Sequence, residues 1–203
     1  MKTNFKLNWP ISCYAGILVI GLYCVFTSTS LALFPPPFSA FDNWLSDLGN
    51  SSYNPNGAIF YNLGCILTGI MLFPFFIGLY KWYEDEMWHK VLMIIIQVIG
   101  SFSGLALIMI GAFSEDFPKP HIVWSGVFFY FNLIVLVLAS LTLYFHPDFI
   151  KWIALYGTVV AIINLLFVFF IITPILEWFT VFTALGYVGL IVYNMYIKIS
   201  LTR

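Results

Sequence analysis

Three ionisable residues in this chain have types and positions suited to acid–base chemistry or cation binding. Asp47 lies in a polar connection between two long apolar segments, and Glu115 and His121 enclose a second, shorter connection. Two carboxylates and an imidazole can transfer protons, coordinate a cation, or bind the amine or hydroxyls of a lipid head group. Ionisable groups beside apolar segments of membrane-spanning length are costly, which makes these three the candidate catalytic residues.

Neutral polar side chains extend this candidate site along the apolar segments. His121, Ser125 and Asn132 lie at i, i+4 and i+11, so they share roughly one face of a helix. In the preceding segment Gln97, Ser101, two glycines and Glu115 form a comparable stripe, and two facing stripes would enclose a cavity or join two helices. The predicted ligand-binding residues are Ser46, Asp47, Asn62, Glu115, His121, Ser125 and Asn132.

The same residues also have purely structural explanations. Ser46, Asp47 and Gly49 are residue types that end helices and turn the chain. Glu115 and His121 could form one hydrogen bond that ties two helices together. Asparagines within apolar segments commonly join helices, at about 0.6–2 kcal/mol for each interhelical hydrogen bond.

The sequence gives no support for a metal, a nucleotide or nucleic acid. Only one histidine falls near the connections that carry the candidate residues, and no His-x-x-x-His pair is present. Neither a serine nucleophile elbow nor a phosphate-binding loop is found. A net charge of −1 leaves no extended basic surface for nucleic acid. We therefore predict no metal site and no nucleic-acid partner, and identify no cofactor.

Membrane helices must position these residues. With 62% hydrophobic and 8% charged residues, the chain has too few polar groups to coat a soluble globule. Its uncharged runs are near the ~20 residues that cross a bilayer. We expect an all-α, multi-pass bundle that forms one domain over residues 1–203. It is expected to lie in the cell membrane. The predicted spans are Ile11–Phe34, Gly57–Tyr80, Val91–Phe113, Ile122–Phe145, Trp152–Ile172 and Trp178–Ile197.

Basic residues orient this six-span bundle. Seven of the eight lysines and arginines border one side of the predicted membrane, and only Lys119 lies on the other. Because basic residues concentrate in cytoplasmic connections, both termini are expected in the cytoplasm. The connections 35–56, 114–121 and 173–177 are then outside.

The first outer connection has the pattern of a short amphipathic helix over Ser39–Leu48. Ser39 and Asp42 have capping-box spacing, and Gly49 stands where a glycine commonly ends a helix. Apolar residues recur between them at helical spacing, which predicts a helix lying on the outer surface or capping the bundle. Its buried face would consist of Phe41, Trp44, Leu45 and Leu48.

Two blocks of the sequence resemble a known family. Phe41–Gly49 with Asn54-Pro55, and Gly111–Glu115 with His121, are similar to outer connections of the damage-regulated autophagy modulators and the GPI-anchor remodelling proteins. The chain most resembles the prokaryotic group called domain of unknown function 998, over roughly Ala32–Phe145. The matching positions are Ser46, Asp47, Gly49, Pro55, Glu115 and His121. The resemblance implies a six-span bundle with functional residues at its outer face, and the eukaryotic members are linked to lipid remodelling, lipid asymmetry and autophagy.

These observations favour a membrane protein that binds or remodels a lipid or other amphiphile. The pocket would open outward between the third and fourth spans, under the Ser39–Leu48 helix, with membrane lipids as partners. The alternative is an intramembrane lipid hydrolase or acyltransferase that uses Asp47, Glu115 and His121. A transporter or a structural, interaction protein is a second alternative, although the inverted repeat and mid-membrane charges that mark many transport pathways are missing from the sequence.

Overall fold

The computed structural model describes residues 9–201, with side chains through residue 198. This part of the chain contains six α-helices, each long and apolar enough to cross a membrane, which confirms the predicted all-α, six-helix membrane fold. Two short 3₁₀-helices, Ser46–Gly49 and Gly78–Trp82, complete it. The α-helices are α1 (Ile11–Ala32), α2 (Ala58–Ile77), α3 (Met87–Ala112), α4 (Pro118–Phe145), α5 (Lys151–Phe169) and α6 (Pro174–Leu201).

The helices pack in the order of the chain. Each contacts the helix before and after it, and α6 returns to contact α1. Two ends are thereby defined. The loop end carries the long α1–α2 connection and the α3–α4 connection, and the terminal end is the opposite one. Lipid tails are as apolar as leucine, so close van der Waals packing and hydrogen bonds hold such helices together.

Glycines of α3 allow this helix to approach α2 closely. A Cβ at Gly104 would lie 2.9 Å from the Gly69 carbonyl oxygen, and one at Gly111 would lie 2.4 Å from the Asn62 carbonyl oxygen. Both acceptors belong to α2. The glycines of the predicted α3 stripe therefore form the α2–α3 interface instead of facing α4.

The α1–α2 connection contains no amphipathic α-helix, so the helix predicted over Ser39–Leu48 is wrong. Turns lead into the 3₁₀-helix Ser46–Gly49. The Asp47 carboxylate accepts the backbone N–H of Trp44 at 2.9 Å and the side-chain amide of Asn43 at 3.2 Å. Such local bonds from side chains to backbone compete with the α-helical hydrogen-bond pattern.

Burial in this connection follows the prediction in part. Leu45 and Leu48 are 1% and 0% exposed, as their helical spacing suggested, and Trp44 is partly buried. Phe41 is 74% exposed, so its predicted burial is wrong. Without a continuous α-helix, the four apolar side chains do not share one face.

Buried amides fix the connection to the bundle. Asn54, which is fully buried, donates to the Leu48 carbonyl at 3.0 Å and to the Ser30 hydroxyl at 2.9 Å. Asn62 of α2 donates to the Gly49 carbonyl at 3.0 Å. The 3₁₀-helix is consequently tied to α1 and α2.

A buried histidine links two connections at the terminal end. His146 Nε2 donates to Glu84 at 2.6 Å, and its Nδ1 accepts the backbone N–H of Asp148 at 3.1 Å. Burial, followed by the nearby charge of Lys198, lowers the pKa of His146 to about 4. The ring therefore joins the α2–α3 and α4–α5 connections as a neutral imidazole.

Candidate functional site

Three carboxylates converge at the loop end. Asp47 lies on the 3₁₀-helix, Glu115 in the α3–α4 connection and Glu177 in the first turn of α6. Glu177 is close enough to the other two for electrostatic interaction. Asp47 and Glu177 are 6% and 8% exposed. The structure thus brings two of the predicted site residues together and adds a third carboxylate.

Glu115 is the least satisfied member of this acidic cluster. Its Oε2 atom is buried and has no hydrogen-bond partner among the residues that the structure describes. Burial raises the pKa of Glu115 to about 7, and the charge of Asp47 and a hydrogen bond with it act in the same direction. Protonation is therefore easier at this carboxyl than at an ordinary glutamate, and an approaching cation would compete with the proton.

Glu177 was not among the site residues predicted from the sequence. Its Oε2 accepts the Leu45 backbone N–H at 2.7 Å. Its neighbour Trp178 donates Nε1–H to the Asn43 carbonyl at 3.1 Å. The available signal was a single carboxylate at the start of the last apolar run, which is the same argument that selected Asp47.

His121 contacts the end of α3 instead of Glu115. Its Nδ1 lies 2.9 Å from the Phe113 carbonyl oxygen. Because a carbonyl only accepts, Nδ1 carries the proton, which leaves Nε2 as an acceptor in the neutral ring. The hydrogen bond that Glu115 and His121 could have shared is replaced by this one.

The acidic cluster has no basic partner in the part of the chain that the structure describes. Neither lysine nor arginine forms an ion pair with any of its three members among residues 9–198. Within the same residues, no group of three or more His, Cys, Asp or Glu side chains is arranged to hold a metal ion. Carboxylates without a basic partner can accept hydrogen bonds from an organic cation such as an ammonium group.

A small cavity, called here the outer chamber, lies inside the loop end. Its volume is about 30 Å³, enough for a water molecule. Ser46, His121, Ser125 and Glu177 supply its polar wall atoms, together with a tyrosine pair whose hydroxyls are 3.5 Å apart. That pair, Tyr23 and Tyr61, was also missed by the sequence analysis, because long apolar runs commonly contain tyrosine for packing alone.

A larger, mostly apolar cavity, the central chamber, follows towards the terminal end. It measures about 80 Å³ and is lined by α1–α4 and α6. Asn132, Thr68 and Ser103 are polar residues in its wall. Four residues line both chambers, namely Tyr23, Leu107, Phe128 and Val181.

The other predicted ligand-binding residues divide between these features. His121 and Ser125 line the outer chamber and Asn132 the central one, so their predicted common face points into the bundle. Ser46 also lines the outer chamber. The Asn62 amide instead donates to the Gly49 carbonyl, which holds the α1–α2 connection in place.

Comparison with known proteins identifies the family. No curated protein and no solved structure matches the chain. The model of the family described as protein of unknown function (DUF998) matches residues 17–194. This range contains all three carboxylates of the acidic cluster and extends well beyond the 32–145 segment that carried the resemblance in sequence. The chain, an integral multi-pass membrane protein, therefore belongs to the DUF998 family.

Proposed function

We propose that this protein binds a lipid or another amphiphile at the loop end. The polar head group would lie against the acidic cluster and the outer chamber, and the apolar part would extend into the central chamber. One observation carries the proposal: a cavity with several polar side chains in its wall adjoins a mostly apolar cavity, and the two share wall residues, among them Tyr23 and Phe128. Convergent polar groups at one end of an apolar cavity are what an amphiphile requires.

The charges favour a cationic head group. Asp47, Glu115 and Glu177 interact with one another without a lysine or arginine partner among the described residues. An ammonium group would offset part of this negative charge and compete with a proton for the Glu115 carboxylate. Ser46 and Ser125 offer hydroxyls to the remaining polar atoms of the head group.

Binding requires the loop end to open. The two chambers, about 30 and 80 Å³, are smaller than the roughly 300–1,000 Å³ of most ligand pockets. The contacts that would have to yield are the hydrogen bonds between the α1–α2 connection and α6, from Leu45 to Glu177 and from Trp178 to Asn43. A head-group ammonium at Glu177 would compete with the Leu45 N–H for the same carboxylate.

We also propose that the protein lies in the cell membrane with both termini in the cytoplasm. Lys81, Lys90 and Lys151 border the terminal end and Lys119 the loop end, which supports this orientation. Lys2, Lys6 and Arg203 lie outside the described residues.

A thermal unfolding experiment with matched amphiphiles tests the binding proposal. Dodecylamine and dodecanol have the same chain and differ in the charge of the head. In detergent micelles, the amine should raise the Tm of the wild type more than the alcohol does, and Glu177→Gln should abolish the difference. Glu86→Gln, the same substitution at the terminal end, should retain it. Equal shifts from the two compounds in the wild type would contradict the proposal.

A specific observation favours a second candidate, a lipid hydrolase or acyltransferase. Burial and the charge of Asp47 raise the pKa of Glu115 to about 7, and His121 lines the adjoining chamber. A carboxyl whose pKa lies near the working pH suits general acid–base catalysis. Incubation with phosphatidylethanolamine should then release fatty acid, and Asp47→Asn or Glu115→Gln should remove the activity. Intact phospholipid after prolonged incubation with the wild type would leave binding as the function.

A further inference from the structure

A long groove lies on the outside of the bundle between α4 and α5. Its volume is about 440 Å³, and most of its walls are leucine, isoleucine and valine side chains. The α4 wall runs from Leu133 to Tyr144 and the α5 wall from Leu155 to Leu165. Leu155 is 54% exposed, so this wall faces the surrounding lipid. No α5 residue lines either chamber, and the groove is therefore separate from the site described above.

The groove is about as long as one membrane leaflet is thick. From Leu133 to Tyr144 the α4 wall spans about 16 Å, at a rise of about 1.5 Å per residue. Half of a hydrocarbon core of about 30 Å is about 15 Å. Tyr144 stands next to the last residue of α4, so the groove runs from the membrane boundary at the terminal end to the midplane. An acyl chain from that leaflet would fit along it.

A cation stands at the mouth of the groove. Lys151, Leu155, Thr158, Ile162 and Leu165 recur at steps of four and three, which places Lys151 in line with the α5 wall. The lysine Nζ lies 5.9 Å from the centroid of the Tyr144 ring. The boundary end of the groove is thus positively charged, and the rest of it is apolar.

The charge of Lys151 is available to a ligand. Its Nζ donates to the carbonyls of Tyr144 and His146, which occupy two of the three N–H donors of an ammonium group. The nearby Asp148 carboxylate is paired with Lys198 at 2.8 Å. Among the described residues, Lys151 itself forms no ion pair with a carboxylate.

We propose that this groove binds an anionic phospholipid from the leaflet at the terminal end. One acyl chain lies between α4 and α5, and the phosphate accepts a hydrogen bond from the Lys151 ammonium. The apolar groove matches an acyl chain, and the cation at its mouth matches a negatively charged head group.

Native mass spectrometry of the purified protein tests the proposal with two defined lipids. Phosphatidylglycerol and phosphatidylcholine with identical acyl chains are added at equal concentration. The wild type should bind phosphatidylglycerol about fivefold more tightly, the contribution expected of one lysine near an anionic lipid surface. Lys151→Gln should lose this preference, whereas Lys151→Arg should keep it. Lys119→Gln, which removes the same charge at the loop end, should also keep it.

A second variant tests the slot without touching the charge. Thr158 is exposed and lines the groove, so Thr158→Phe fills the slot from a lipid-facing position. This change should weaken binding of both lipids by about tenfold or more. Equal affinities for the two lipids in the wild type, or unchanged binding in Thr158→Phe, would overturn the proposal. A dimer that carries no lipid and dissociates in Thr158→Phe would overturn it as well, by assigning the groove to a second copy of the chain.

Discussion

The side-chain carboxylate of Glu177 accepts the backbone N–H of Leu45 at 2.7 Å, which joins the start of the last helix to the loop after the first. Leu45 is 1% exposed and Glu177 8%, so water does not compete for this bond. The residue that closes the loop end is therefore also a member of the acidic cluster. The Leu45 N–H and a cationic head group would therefore compete for the carboxylate oxygen atoms of Glu177.

Removing the Glu177 acceptor should destabilise the fold more than removing its charge. In Glu177→Leu the Leu45 N–H is left buried without a partner, a cost of about 1–3 kcal/mol. Glu177→Gln retains an oxygen acceptor and should cost less. Reversible unfolding of both variants in detergent measures the difference, and equal losses would show that the hydrogen bond contributes nothing.

Asn54 should be one of the most sensitive polar positions. Its amide donates to the Leu48 carbonyl and the Ser30 hydroxyl, and its Oδ1 accepts the Gly57 N–H at 3.1 Å. Asn54→Ala breaks these buried bonds together and should lower the free energy of unfolding by about 2 kcal/mol or more. Asn56→Ala, at an exposed position two residues away, should change it by less than about 0.5 kcal/mol. Thermal unfolding of the pair tests this difference, and similar losses would refute it.

Stability should depend on pH through Glu115. Its folded pKa of about 7 lies above the ordinary value of 4.5, so the folded state binds the proton more tightly. The resulting stabilisation is complete below about pH 4.5 and is lost as the pH rises to about 7. Glu115→Gln should make this decline shallower, whereas Glu86→Gln should leave it unchanged. Tm measured from pH 4.5 to 8 provides the test, and an unchanged slope in Glu115→Gln would exclude Glu115 as its source.

The α2–α3 contact should not tolerate a methyl group at Gly111. The added Cβ would lie 2.4 Å from the Asn62 carbonyl oxygen, so the two helices must separate, at a cost of about 1–3 kcal/mol. Gly126→Ala provides the matched control, because within the described part of the chain no atom outside its own helical turn and its two chain neighbours lies within 4 Å of its Cβ position. That change should be neutral or slightly stabilising. Unfolding measurements on both variants provide the test, and a Gly111→Ala protein as stable as the wild type would contradict this close packing of α3 on α2.

Part of the candidate site could be inferred before the structure was known. Asp47 and Glu115 both border apolar spans, and the topology places them at one end of the bundle, where they do interact. The same topology puts Glu177 at this end, but its contact with Leu45 depends on how α6 returns to α1. The apolar spacing around Trp44 was also misleading, since hydrogen bonds to Asp47 hold that segment in turns.

The sequence by itself determined the six membrane helices and the connections between them, because a bilayer demands about 20 apolar residues for each helical crossing. The tertiary structure decided which face of α3 packs on α2, which carboxylates meet and where the two chambers lie. Those features depend on contacts between residues far apart in the chain, such as Leu45 with Glu177. Hydropathy is a local property, and the orientation of a membrane helix is set by its packing against its neighbours.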